Sequence, residues 1–142
     1  MGVYLNPGAA MLRQGRNSQI YVDKSAMIAR LNRLVNTERK YACVSRPRRF
    51  GKTMAANMIS AYYDRTVDGT AEFAGLAIAD DPTFDKQRNR YDSVRINMQE
   101  FLSETHDIEA LVESLHQNVA PEIKRTYPEL FFRDESSLIK CM

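Results

Sequence analysis

The chain has 142 residues, the length of about one domain. With 44% hydrophobic and 27% charged residues, it is too apolar for a disordered chain and too polar for a membrane one. Its 20 basic and 18 acidic side chains leave a net charge of +2, which excludes the overall basic coat of a nucleic-acid-packaging protein.

The apolar runs are only a few residues long, so no membrane span is expected. The start MGVYLN lacks the basic-then-apolar pattern of a secretory leader, and Asn6 breaks the myristoylation pattern. Two cysteines, Cys43 and Cys141, do not make a disulfide framework or a zinc spacing. The expectation is a reduced, cytoplasmic protein.

Residues 1–19 contain Asn6-Pro7-Gly8 and Gly15 and read as a turn-rich lead-in. Ile20-Tyr21-Val22 is a short apolar run, and Asp23 and Ser25 are both N-cap residues for a helix. Met27, Ile28, Leu31, Leu34 and Val35 share one helical face, which predicts that helix from Lys24 to Val35. Tyr41 to Ser45 is apolar at nearly every position, the pattern of a strand covered on both faces. A basic loop comes next, and then Lys52 to Tyr63 returns to helical spacing through Met54, Ala55, Met58, Ile59, Tyr62 and Tyr63.

Asp64 to Thr70 reads as a loop. The apolar patch Phe73 to Ile78 leads into a turn at Asp80-Asp81-Pro82. Val94, Ile96 and Met98 alternate with polar residues and predict a strand over Ser93 to Met98, buried on one face. Asp107 is a cap for a long helix carrying Ile108, Leu111, Val112, Leu115 and Val119, which Pro121 is expected to kink or end. The tail from Pro128 to Met142 is ambiguous.

The chemistry concentrates in Arg46-Pro-Arg-Arg-Phe-Gly51-Lys52-Thr53. It matches the phosphate-binding pattern G-x-x-x-x-G-K-[ST] at every fixed position except the first, where Arg46 replaces glycine. A loop that wraps onto a helix N-terminus aims several backbone N–H groups at one point, and the helix dipole adds positive charge there. Gly51 lets the backbone approach phosphate closely. Lys52 suits the β- and γ-phosphates, and the Thr53 hydroxyl suits magnesium. The expected nucleotide-binding set is Arg46, Arg48, Arg49, Phe50, Gly51, Lys52, Thr53 and Met54. Three other readings of the segment stay open: a basic surface turn, a non-catalytic interaction module or degenerate remnant, and a nucleic-acid patch built on Arg46, Arg48 and Arg49.

Tyr21-Val-Asp-Lys-Ser25, Ser45-Arg-Pro-Arg-Arg-Phe-Gly-Lys-Thr53, Ala61-Tyr-Tyr-Asp64 and Ile96-Asn-Met-Gln-Glu-Phe-Leu102 together resemble the bacterial AAA-ATPase-like family. Arginine at the first glycine position belongs to that family's pattern. The resemblance implies an α/β fold: a partial three-layer P-loop NTPase-type domain with parallel strands flanked by helices and Tyr41–Ser45 central. It implies ATP and Mg2+ as cofactors, with Lys52 and Thr53 at the Walker A positions. Tyr21 and Asp23 become candidates for the base side of the nucleotide, against core packing for Tyr21 and helix capping for Asp23.

A second acidic residue is also required for hydrolysis. Leu76-Ala-Ile-Ala-Asp80-Asp81 lies too soon after the phosphate-loop helix to supply it, and Arg133 interrupts Phe131-Phe132-Arg133-Asp134-Glu135. The expectation is therefore that residues 1–142 form the N-terminal portion of one ATPase-like domain. Its second acid and a following PD-(D/E)XK nuclease-like domain are expected to lie beyond the chain. The expected partners are a nucleotide and the missing C-terminal part, with nucleic acid only through a longer protein and no membrane.

Overall fold

The computed structural model describes residues 2–130. They divide into two compact units, one of Asn6–Val94 and one of Gly2–Leu5 with the chain from Arg95 onward. No helix among the described residues is long and apolar enough to cross a membrane.

The first unit is built on three helices: α1 (Ala10–Arg16), α2 (Ala26–Asn32) and α3 (Lys52–Tyr63). Two short turns of helix, α4 (Thr70–Phe73) and α5 (Phe84–Gln87), flank a 3-10 turn at Ala77–Asp80. The α3 helix starts and stops where its spacing predicts. Its C-terminal half is buried on more than one face, with Met58, Ala61 and Tyr62 closing onto Leu12, Ile28, Phe73 and Ile78. Tyr62 anchors this core. Its ring meets Phe73 edge-on at 5.4 Å, and its hydroxyl donates to the Phe84 carbonyl at 2.6 Å. Asn32 ties the end of α2 to the same helix, donating to the Tyr62 hydroxyl at 2.9 Å and accepting from the Tyr63 hydroxyl at 2.8 Å.

The second unit consists of α6 (Met98–Glu104), α7 (Ile108–Thr126) and residues 2–5. Asp107 caps α7 as expected, accepting from the Ala110 amide at 2.7 Å. Pro121 does not end the helix, which continues to Thr126; the ring removes one N–H donor, and the bonds on either side carry the helix past it. Residues 2–5 are held by the Tyr4 amide donating to Glu122 Oε2 at 2.9 Å and by the Arg95 amide donating to the Tyr4 carbonyl at 2.8 Å.

The α/β expectation is overturned. The described residues are helical and carry no strand; their pairing is confined to isolated bridges such as that between Asp64 and Tyr91. Tyr41 to Ser45 is exposed throughout, Tyr41 at 84%, and none of its five residues makes a backbone hydrogen bond to another described residue. A strand has no hydrogen bonds of its own, so an apolar run becomes a central strand only when neighbours bring it a ladder. No such neighbour lies beside it among the described residues.

The second predicted strand, Ser93 to Met98, fails for a local reason. The Asn97 side chain accepts from the Gln99 amide and turns the chain into α6 at Met98. The three-layer architecture and its parallel strands are therefore absent from the described residues. Phe131 to Glu135 and Cys141 lie outside them.

Candidate functional site

The loop before α3 is shaped by two left-handed residues, Arg49 at φ 66° and Gly51 at φ 75°. Arg46 is not one of them, so the missing first glycine is not missed: the turn is made three and five residues later. Gly51 is the N-cap of α3 and brings no side chain to it. The first bond of the helix runs from the Ala55 amide to the Gly51 carbonyl at 3.0 Å. The N–H groups of Lys52, Thr53 and Met54 precede any intrahelical acceptor and have no partner among the described residues. This is the uncapped, partially positive helix start that attracts an anion.

Lys52 closes the loop on itself. Its ammonium donates to the Arg46 carbonyl at 2.6 Å and to the Pro47 carbonyl at 2.9 Å, both inside the loop that leads to it. Thr53, the second residue of α3, is exposed. Arg46, Arg48 and Arg49 are exposed as well, and among the described residues none of these cations forms an ion pair. A cation beside a helix N-terminus is disfavoured by about 0.3–1 kcal/mol. The cluster is therefore an electrostatic liability that an anion relieves.

A cleft of about 360 Å³ opens beside the loop, lined by Ile20, Tyr21, Val22 and Lys24 on one wall and Arg49, Phe50, Gly51 and Met54 on the other. Its size falls in the range of small-molecule sites, and its lining contains no carboxylate. Two sequence segments that the spacing alone could not join, Ile20–Lys24 and Arg49–Met54, thus meet.

Tyr21 is in the cleft. Burial, with Asp23 adding to it and Arg16 opposing, pushes its hydroxyl above the ordinary value of 10.0. Asp23 is not in the lining; its two oxygens accept from the Ser25 amide at 2.7 Å and the Ala77 amide at 2.8 Å. Partial burial works to raise its pKa, but the bonds from Ala77 and Ser25, helped by Arg16, outweigh it and hold the carboxyl below 3.8.

Sequence reasoning missed Lys24, whose ammonium donates to the Phe50 carbonyl across the cleft. Its position inside the Tyr21-Val-Asp-Lys-Ser25 stretch was the available signal.

Asp80 and Asp81 stay apart from this cleft. Asp80 ends the 3-10 turn, and Asp81 accepts from the Thr83 amide at 2.8 Å and from its hydroxyl at 2.5 Å. Among the described residues no three His, Cys, Asp or Glu side chains gather into a metal-binding group.

No curated protein and no solved structure matches the chain. A family model described as a predicted AAA-ATPase matches residues 11–138, which include both walls of the cleft and the whole basic loop. The chain belongs to this AAA-ATPase-like family.

Proposed function

We propose that the loop Arg46–Thr53 and the first turn of α3 bind the phosphates of ATP with Mg2+, and that hydrolysis by this chain alone is weak or absent. The observation that carries this reading is the uncapped start of α3. Left-handed Gly51 is followed directly by Lys52 and Thr53, with three free N–H groups and no acidic side chain in the cleft.

The residues fit a triphosphate. In this reading the N–H groups of Lys52, Thr53 and Met54 bind phosphate oxygens. Lys52 gives up its two loop carbonyls for the β- and γ-phosphates, and Arg48 and Arg49 add charge-assisted contacts. The fit to magnesium is partial: Thr53 offers one hydroxyl oxygen, and the remaining ligands are phosphate oxygens and water, as this ion prefers. Tyr21 faces the base side of the nucleotide, and Asp23 acts indirectly by holding the segment that carries Tyr21. Binding phosphates does not position an attacking water, and positioning is most of the catalysis.

A titration with ATP–Mg2+ tests the reading. Lys52→Ala is expected to weaken binding by about tenfold or more, the loss of a hydrogen bond to a charged group. Equal binding by the two proteins removes Lys52 from the site. A thermal shift repeated with an oligonucleotide separates the basic-patch reading, which requires binding that falls steeply with salt.

A further inference from the structure

We infer that Lys24 is a positioning residue of the phosphate loop, setting the orientation of the Phe50–Gly51 peptide through its hydrogen bond to the Phe50 carbonyl. The inference rests on the nucleotide reading above and adds to it a residue from the opposite wall of the cleft.

The geometry is specific. The peptides of the described chain are all trans, and in a planar trans peptide the carbonyl and the following N–H point in opposite directions. By holding the Phe50 oxygen, Lys24 fixes the Gly51 N–H pointing away from itself. Gly51 is also the left-handed residue from which α3 starts, so the same bond fixes the entry of the helix. The approach is close: a Cβ built on Gly51 would lie 2.8 Å from the Lys24 ammonium.

The backbone that carries Lys24 is held on both sides. The residue before it, Asp23, accepts from the Ala77 amide, and the residue after it, Ser25, is fully buried and accepts from the Ile78 amide at 3.1 Å. Both neighbours are therefore pinned to the 3-10 turn, and the lysine stem leaves a fixed backbone. A residue supported in this way holds its target more precisely than a free surface lysine.

The arrangement is also electrostatically costly without an anion. Lys24 shares the cleft with Arg49, beside the positive end of α3, and no carboxylate lines it. An exposed lysine gains more freedom in water than in such company. A polyphosphate reverses the balance, because its charge offsets the clustered cations and the positive start of α3.

The test compares Lys24→Met, which keeps most of the stem, with Lys24→Arg, which keeps the charge and the donor. Hydrogen exchange over residues 55–57, the first hydrogen-bonded amides of α3, is measured without nucleotide, and ATP–Mg2+ and AMP are then titrated. Lys24→Met is expected to speed exchange at the start of α3, to weaken ATP by about tenfold, as loss of a charged hydrogen bond does, and to weaken AMP by less than about threefold. Lys24→Arg is expected to restore most of the ATP affinity.

Unchanged exchange and unchanged ATP affinity in Lys24→Met would overturn the inference, as would equal losses for ATP and AMP or failure of arginine to rescue. If the unmutated chain binds no ATP, the nucleotide reading falls. The exchange data then decide the role of Lys24 by themselves: faster exchange at the start of α3 in Lys24→Met upholds it and unchanged exchange removes it. Should Lys24→Met not fold, the same comparison with Lys24→Ala applies.

Discussion

Gly51 combines two constraints at one position, a left-handed backbone at φ 75° and a lysine ammonium 2.8 Å from where its Cβ would stand. The ammonium can move, being the far end of a flexible chain, but the dihedral cannot. Gly51→Ala is therefore expected to destabilise the protein by about 1–2 kcal/mol, the cost of placing an L-residue in that region, measured by urea unfolding. Arg49 already bears such a cost at φ 66°, in the middle of the loop where strain and function commonly coincide. Gly51, Lys52 and Thr53 were legible from sequence because their relation is local: a glycine, then the first two residues of a helix. Lys24 was not. Its partner lies 26 positions along the chain, and nothing in either segment's spacing specifies that they meet.

Among the elements, α2, α3 and α7 were legible, whereas the strands were not and α1 lies in the stretch that reads as a turn-rich lead-in. The α3 helix occupies the predicted residues, and α7 begins at its predicted cap. The α2 helix fills only the middle of the predicted Lys24–Val35 span. Helix bonds join residues four apart, so one segment carries its own signature. The run Tyr41 to Ser45 has the composition of a buried strand and lies in solvent, because composition states what a segment could pack against and not whether a partner arrives. A pair of substitutions makes the contrast measurable in thermal unfolding. Met58→Ala, in the core of the first unit, is expected to cost about 2–5 kcal/mol. Tyr41→Ser is expected to change stability by less than about 0.5 kcal/mol, as an exposed position does; a loss as large as that of Met58→Ala would return Tyr41 to a buried strand.

At the scale of the whole molecule, phosphate binding and hydrolysis separate. In the proposed reading the cations and free amides for phosphate come from residues 46–54, and Lys24 positions the peptide that leads into them. Hydrolysis needs an acid aligned with the attacking water, and neither Asp80 nor Asp81 lies in the cleft lining. Purified protein is therefore expected to release phosphate from ATP at no more than a background rate in a coupled assay. Robust release that Lys52→Ala abolishes would reveal an acid in the site. The sequence by itself determined α3, the cap of α7 and the order glycine, lysine, threonine at the start of α3, because each depends on residues within a turn or two of one another. Only the tertiary structure decided that the apolar run at Tyr41 finds no ladder, that Ile20–Lys24 forms a wall against Arg49–Met54, and that Lys24 holds the Phe50 carbonyl. These depend on approaches between distant segments, whose outcome is set by the packing of the chain rather than by the periodicity of any one stretch.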